Sequence, residues 1–344
     1  MFENFYGNRA AQTMLETMIQ RERIPQTLIF AGLEGLGKAT LARRFAARLI
    51  GSPERIEHDD LNLEDNLELI AAREKLPADK RNDDPLVFAS NPDFLTFAPD
   101  GPLRQISLPQ IRMLRERAQF KPLHGRWRVF LVDQADRAGE QAANSLLKIL
   151  EEPPDHLILI LTANNPYDML PTIRSRAVMA NFSPLTEEDM RAFATARSLD
   201  QLDRRIALSA GCPGIAASLD IELFEKRRAA MLALLKTGAG AASFAAWLPV
   251  SEALARSKSE KLESHLRLLY DLLRDLMVLR EGGSAIRNAD LRTELSALAA
   301  KISRRWIIRS VAAVDEVAEL LRRNIQKPIA FDGLLMQMRS AATV

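Results

Sequence analysis

The stretch that decides the fold is residues 27–41, Thr-Leu-Ile-Phe-Ala-Gly-Leu-Glu-Gly-Leu-Gly-Lys-Ala-Thr-Leu. Its apolar part, 28–31, predicts a buried strand. The glycines that follow are Gly32, Gly35 and Gly37. A helical pattern then begins at Lys38. This order of strand, glycine-rich loop and helix is typical of a phosphate-binding site, because backbone N–H groups and the helix N-terminus face the anion. We predict a nucleotide-binding loop in which Lys38 reaches the β- and γ-phosphates.

One position of this loop departs from the pattern. A serine or threonine normally follows the lysine, and its hydroxyl holds Mg²⁺. Here Ala39 follows, and Thr40 comes one residue later, which on a helix turns its side chain by roughly 100°. Two interpretations stay open: a loop that binds ATP without efficient hydrolysis, and a tight strand–helix turn that binds no nucleotide.

Composition bounds the class of protein. The chain has 344 residues, 47% hydrophobic and 27% charged, with a net charge of +2, as in ordinary soluble proteins of two or three domains. A single cysteine excludes an internal disulfide and a cysteine-based zinc site, and it favours a reducing cytoplasm. The N-terminus lacks the features of a signal peptide, and no apolar run reaches about 18 residues, so we expect no membrane span.

Alternating elements predict an α/β fold. Further strands are expected at 94–98, 129–132 and 157–162, and helices at 8–23, 107–119 and 140–151. Continuous apolar strands separated by helices indicate a parallel sheet covered on both faces. Beyond residue 184 only helical patterns occur, with a helix start at Thr186, a break at 211–214 and loops near 237–240, 249–251 and 281–288.

Polar residues end two of these strands. Asp133 follows an apolar strand, as does the carboxylate that contacts the Mg²⁺ shell in ATPases. The next residue is usually a glutamate that activates water, but Gln134 cannot accept a proton. Asn164 ends the next strand, where it either contacts a γ-phosphate or caps a loop.

Two segments carry unbalanced charge. Residues 54–93 hold twelve Asp/Glu and five Lys/Arg, which predicts an acidic helix and a mobile connection, either a solvated insertion or a partner surface. Residues 104–128 hold seven Lys/Arg and one Glu, which predicts either a contact with a phosphate backbone or an exposed basic helix face.

The arginines of Thr172-Ile-Arg-Ser-Arg-Ala177 form a further motif. Arginine stabilises charge on a transferring phosphoryl group and can do so from a neighbouring subunit. The alternative is a surface pair.

Two motifs together carry a family resemblance. Leu146-Leu-Lys-Ile-Leu-Glu-Glu-Pro-Pro154, followed by Ile173-Arg-Ser-Arg-Ala177, resembles the clamp-loader branch of the AAA+ ATPases, and within it the delta-prime subunits of bacterial DNA polymerase III. Asn91-Pro-Asp-Phe94 and the strand at 129–133 match as well. The resemblance covers residues 1–184 with specific motifs, and the remainder agrees only in length and pattern.

The resemblance implies an AAA+ α/β domain over 1–184, a small helical lid over 185–222 and an all-helical collar over 223–344 that joins a ring of five subunits. An apolar stripe in the last part is either internal core or a collar interface. Its members are Leu262, Leu266, Leu269, Tyr270, Leu273 and Leu276.

The resemblance also implies a function. Arg176 is expected to act in trans in the ATP site of a motor subunit, while this chain, a stator, works with motor (gamma/tau) and delta subunits in a hetero-pentamer that loads a sliding clamp onto primer-template DNA. Ala39, Gln134 and Ile215, the last where related ATPases carry a sensor arginine, argue against turnover by this chain.

Three further expectations complete this picture. The family's four-cysteine zinc module is replaced by the acidic 54–93 segment, so we expect no zinc. A motor subunit that hydrolyses its own ATP is the alternative function, disfavoured by Ala39, by Gln134 and by the chain's end at 344 without a long tail. An unrelated P-loop kinase or repair ATPase is a third, which the paired motifs disfavour.

Overall fold

The computed structural model describes residues 2–256, 262–320 and 326–342. One sheet is formed by the strands β1 Thr27–Ala31, β2 Phe88–Asn91, β3 Phe94–Phe97, β4 Arg128–Val132, β5 Leu157–Ala163 and β6 Val178–Asn181. The helices up to the end of the sheet are α1 Arg9–Gln20, α2 Lys38–Ile50, α3 Pro53–Glu57, α4 Glu64–Glu74, α5 Ala78–Asp83, α6 Leu108–Ala118, α7 Glu140–Glu151 and α8 Pro171–Arg174. Those that follow are α9 Glu187–Ala196, α10 Leu202–Ser209, α11 Pro213–Ser218, α12 Ile221–Gly238, α13 Phe244–Arg256, α14 Leu262–Arg280, α15 Arg292–Ala299, α16 Arg304–Leu320 and α17 Lys327–Ala342.

The sheet has the strand order β2-β3-β4-β5-β1-β6. All neighbouring strands run parallel except β2, which pairs antiparallel with β3 at the edge. β1 lies between β5 and β6, with Thr27 opposite Leu159 and Leu28 opposite Val178. The carboxyl ends of β1, β4 and β5 therefore lie side by side at one edge of the sheet, where ligands bind in open α/β sheets.

Helices cover both faces of this sheet, as predicted. Successive strand residues point to opposite faces, so Leu28 and Phe30 of β1 pack in one apolar cluster while Ile29 and Ala31 pack in the other. All five residues of β1 are buried. Burial on both faces explains why the strands read as continuous apolar runs.

The predicted helix at 107–119 corresponds to α6. The hydrogen bonds at its N-terminus explain why the start of this helix could be predicted from the sequence. The Ser107 side chain accepts a hydrogen bond from the Gln110 backbone N–H at 3.4 Å, and the Gln110 side chain accepts one from the Ser107 N–H at 2.8 Å. This reciprocal cap satisfies two backbone groups at the helix start. Thr186 caps α9 in a similar way by accepting from the Asp189 N–H at 3.2 Å.

The acidic 54–93 segment differs from its prediction. It forms α3, α4, α5 and β2 instead of one helix and an irregular connection. Several of its carboxylates are used internally: Glu57 and Asp60 pair with the buried Arg43 of α2 at 3.0 and 2.5 Å. Arg73 of α4 pairs with Asp100 at 2.8 Å. These ion pairs attach the insertion to the domain, which a count of charges does not reveal.

The chain divides into two compact units, Met1–Ala217 and Ser218–Val344. The finer division at residue 184, between an AAA+ domain and a lid, stays a prediction. None of the helices within the described ranges is both long and apolar enough to cross a lipid bilayer.

The second unit is helical in its described residues, with a core that contains Trp247, Trp306 and Phe331. The predicted stripe on α14 packs within this core, where its five leucines are buried and Tyr270 is partly buried. The stripe is therefore intramolecular.

The predicted loop at 249–251 is wrong, because Pro249 lies inside α13. Asp332 of α17 accepts hydrogen bonds from both sides of the proline, from Trp247 Nε1 at 2.6 Å and Ser251 Oγ at 2.9 Å. These tertiary contacts support the helix across a residue that lacks an N–H.

Candidate functional site: the phosphate loop and the 171–177 arginines

The predicted loop connects β1 to α2. Gly32, Gly35 and Gly37 have φ values of +148°, +80° and +84°, a region that other L-residues rarely adopt. Leu36 between them is fully buried and anchors the loop to the core beneath it. The loop therefore has the backbone that its glycines predict.

Two segments that are distant in the sequence pack against this loop. The Gly214 N–H donates to the Gly35 carbonyl at 2.8 Å, and a Cβ at Gly35 would lie 2.9 Å from the Ile215 side chain. A Cβ at Gly37 would lie 2.9 Å from the Phe5 ring. The glycines thus also permit close packing. Sequence reasoning missed Phe5 and Gly214 as neighbours of the loop: Phe5 belongs to no motif, and Gly214 was predicted only as part of the break at 211–214.

Lys38 is buried, and its ammonium group has all three donors engaged. Nζ donates to the carbonyls of Gly32 at 2.5 Å and Leu33 at 2.7 Å, and to Oδ1 of Asn164 at 3.1 Å. Burial lowers the pKa of Lys38, and the nearby Asp133 opposes that shift. A phosphate oxygen could therefore reach this ammonium only by displacing one of these partners.

Asp133 lies at the end of β4, as predicted. Its Oδ1 accepts a hydrogen bond from Thr162 Oγ1 at 2.6 Å, and Thr162 in turn accepts from the Gln134 N–H at 2.8 Å. Burial raises the pKa of Asp133 despite this hydrogen bond and the charge of Lys38. The next residue, Gln134, adopts φ +51°.

Asp136 is a further residue of this cluster to which sequence reasoning gave no role. Its Oδ2 accepts from the backbone N–H groups of Asn164 at 2.9 Å and Asn165 at 3.1 Å. Asp136 thereby holds the turn that presents the Asn164 side chain to Lys38. The signal was available, since Asp136 is a second carboxylate three residues after Asp133.

The structure brings Lys38, Asp133 and Asn164 together, but their surroundings fit a Mg²⁺–nucleotide poorly. Ala39 supplies no hydroxyl to a metal, and Gln134 supplies no base. Thr40, the hydroxyl one residue later in the chain, is half-buried on α2. Among the residues that the structure describes, no group of three carboxylate, histidine or cysteine side chains could hold a metal ion.

Arg176 lies in a different environment, just after α8. Its side chain is 38% exposed. Nη1 donates to the Thr172 carbonyl at 3.1 Å and to Ser175 Oγ at 3.4 Å, and Nη2 donates to Glu151 Oε1 at 3.3 Å. None of these partners belongs to the phosphate loop. The arginine is thus fixed at the surface, with its charge accessible from outside the chain.

Arg174 differs from Arg176. Its guanidinium lies 4.8 Å from the ring centroid of Tyr167, a distance at which a cation–π attraction operates. Tyr167 itself is 77% exposed. The predicted arginine pair therefore consists of one residue on an aromatic ring and one in an ion pair.

The basic 104–128 segment is partly structural. Arg104 pairs with Glu74 at 2.5 Å. Arg128 is buried and donates to the carbonyls of Arg117, Phe120 and Pro92 at 2.8, 3.1 and 2.9 Å. Neither is available to a nucleic acid. The remaining basic residues are exposed or half-buried, namely Arg112, Arg115, Arg117, Lys121 and Arg126.

Comparisons with known proteins agree with these motifs. The family model described as DNA polymerase III, delta subunit, matches residues 7–186, more than half of the chain. The DNA polymerase III subunit delta' of Escherichia coli is 28% identical over 255 residues, which cover 72% of this chain and 74% of that protein.

A shorter match has higher identity. The DNA polymerase III subunit gamma/tau of Mycobacterium tuberculosis is 48% identical over 81 residues, or 24% of this chain, and the chain spans only 14% of that relative's length. The crystal structure of a gamma subunit-related protein from Thermotoga maritima covers 96% of this chain and 99% of that chain at 17% identity, with a TM-score of 0.41.

The strand–loop–helix unit, the parallel sheet and the match over 7–186 agree with one another. The chain therefore belongs to the DNA polymerase III delta-subunit family and is a clamp-loader-related subunit with an AAA+ fold.

Proposed function

We propose that this chain is a delta-prime-like stator of a DNA polymerase III clamp loader that does not hydrolyse ATP itself and lends Arg176 to the ATP site of a neighbouring motor subunit. The contrast between two sites in one unit carries this proposal. Lys38 has its donors engaged by its own chain, whereas Arg176 is accessible at the surface.

Three residues support the absence of turnover. Ala39 lacks the hydroxyl for Mg²⁺ and Gln134 lacks a proton acceptor. Ile215 packs against Gly35 at the position where the resemblance places a sensor arginine. Groups that act as a unit in catalysis each cost orders of magnitude when lost. ATP can bind here only if Asn164 or a loop carbonyl releases Lys38.

The partners follow from the same proposal. The chain would assemble with motor and delta subunits in a hetero-pentamer that loads a sliding clamp onto primer-template DNA in the cytoplasm. Arg176 suits a role in trans, because a guanidinium presents donors in a planar fork that matches phosphate oxygens.

A motor subunit of the gamma/tau type is the second candidate. The 48% identity to the mycobacterial gamma/tau protein over 81 residues favours it, as does the retained Lys38. For this function, the chain would have to hydrolyse ATP without a hydroxyl at position 39 and without a carboxylate at position 134.

The deciding experiment measures ATP hydrolysis by a reconstituted loader with clamp and primed DNA, using wild type or Arg176→Ala in this chain only, and by the chain alone. We expect the chain alone to show no ATP hydrolysis. We expect the assembly with Arg176→Ala to hydrolyse ATP clearly more slowly than the wild-type assembly. Robust turnover by the lone chain would establish the motor instead. An assembly unaffected by Arg176→Ala would leave a scaffold without a catalytic part.

A further inference from the structure

The hydrogen bonds of Arg176 leave part of its guanidinium available. An arginine has five N–H donors, and three are engaged by Thr172, Ser175 and Glu151. Among the described residues, neither the Nε–H nor the second Nη2–H has a hydrogen-bond acceptor. The guanidinium can therefore bind an outside oxyanion while it keeps all its present partners.

Only one of these partners comes from another element. Thr172 and Ser175 lie within four residues of Arg176, whereas Glu151 is the last residue of α7. Glu151 thus links the arginine to a helix that packs into the core of the sheet, through buried residues such as Leu146 and Ile149. A side chain held from two elements has less rotational freedom than one held from its own turn.

The position of Glu151 conflicts with its local environment. Acidic side chains are unfavourable at the C-terminus of a helix, where the macrodipole is negative. Glu151 ends α7, and Glu152 follows it directly. Such a conflict between local preference and observed residue is typical of positions selected for a role. The positive charge of Arg176 offsets this repulsion only for Glu151, since no ion pair joins Glu152 to another described residue.

We infer that Glu151 is a positioning residue for Arg176: its carboxylate holds the guanidinium in the orientation that presents the remaining two donors to the phosphates of the neighbouring subunit. This inference rests on the proposed function. It predicts that Glu151 acts only through Arg176 and contacts neither the nucleotide nor the attacking water of the neighbouring site.

The test uses the reconstituted loader with clamp and primed DNA. We define the arginine-dependent rate as the hydrolysis rate of the wild-type assembly minus that of the Arg176→Ala assembly. Glu151→Gln keeps the shape but removes the charge, and it is expected to lower the arginine-dependent rate about threefold to tenfold with KM for ATP unchanged. Glu151→Asp keeps the charge on a shorter side chain and should lie in between. Glu152→Gln, with the same change of charge one residue away, should match wild type.

A double variant separates positioning from folding. If Glu151 acts through Arg176, then Glu151→Gln combined with Arg176→Ala hydrolyses ATP at the rate of Arg176→Ala alone. A further decrease in the double variant, or equal effects of Glu151→Gln and Glu152→Gln, would overturn the inference. So would a Glu151→Gln rate equal to wild type while Arg176→Ala is slow, although the proposed function would then stand. If Arg176→Ala itself has no effect, the proposed function fails first.

Discussion

The Nζ atom of Lys38 donates a hydrogen bond to Oδ1 of Asn164 across 3.1 Å and so joins the phosphate loop to the residue that follows β5. With the carbonyls of Gly32 and Leu33, Asn164 completes the set of acceptors for this ammonium. The lysine therefore has a structural role that does not depend on a nucleotide. This role explains how Lys38 can persist in a loop that lacks the hydroxyl and the base.

Replacing Lys38 by methionine is expected to lower the free energy of unfolding of the first unit by about 1–3 kcal/mol in the absence of nucleotide, because buried acceptors lose their donor. Hydrogen–deuterium exchange of the β1 and β5 amides in the full chain measures this loss. The exposed Lys148→Met is the control and should change little. A Lys38→Met chain as stable as wild type would show that the lysine serves only a ligand.

Asp133→Asn is expected to stabilise the first unit at pH 7 by about 1 kcal/mol. Burial raises the pKa of Asp133 above its ordinary value of 3.8, so the folded chain retains this proton to a higher pH than the unfolded chain. The stabilisation from the protonated form is complete below pH 3.8 and is lost as the pH rises through the folded pKa. Asparagine can still accept from Thr162 and carries no buried charge.

The gain from Asp133→Asn should therefore shrink as the pH falls from 7 through the folded pKa toward 3.8. Urea unfolding at several pH values checks this, with the exposed Asp155→Asn as control. A less stable Asp133→Asn chain at pH 7 would mean that the attraction between Asp133 and Lys38 exceeds the cost of burial.

The local features of the site could be predicted from the sequence, because each is encoded within a few residues. The strand, the loop and Lys38 follow from one stretch, and Asp133 follows from an apolar run that ends in a carboxylate. The contacts of Phe5 with Gly37 and of Gly214 with Gly35 could not, since they join residues far apart in the chain.

The interpretations that rested on counts of charged residues agreed least with the structure. The acidic insertion was expected to be solvated or to face a partner, yet Glu57 and Asp60 neutralise the buried Arg43. The count that suggested a phosphate contact at 104–128 included Arg128, which is buried among carbonyls. A sequence gives the sign of a charge but not the partner that three-dimensional packing assigns to it.

Gly37→Ala is expected to destabilise the first unit for two separable reasons. At φ +84° a Cβ is strained by about 1–2 kcal/mol, and it would also lie 2.9 Å from the Phe5 ring. Gly125→Ala isolates the first effect, because Gly125 has φ +77° and open space around it. The loss of stability, measured by urea unfolding, should be larger at Gly37 than at Gly125. Combining Gly37→Ala with Phe5→Ala should recover part of the extra loss of stability at Gly37. Equal losses at both glycines would show that the Phe5 ring moves aside at no cost in stability.

Two arginines at one end of β4 should lose very different amounts of stability on the same substitution. Arg128→Met leaves three carbonyls without their donor and is expected to cost about 3 kcal/mol. Arg126→Met loses only a contact at 4.6 Å with the Trp127 ring, worth about 0.5–1 kcal/mol. Thermal unfolding of the full chain compares the two. A mild effect of Arg128→Met would show that water reaches those carbonyls.

Arg112 and Arg115 are the pair that best tests a contact between α6 and DNA. They lie three residues apart, so they project from one side of the helix, and Arg112 is exposed while Arg115 is half-buried. If both contact phosphates, reversing them to glutamate in the assembled loader should weaken binding to primed DNA and reduce the slope of log K against log salt by about 1.8. The same change of charge at the exposed Arg21 and Arg48 is the control. An unchanged affinity and slope for the Arg112 and Arg115 variant would make this side of α6 an ordinary solvated surface, because a phosphate contact cannot be lost without a change in counterion release.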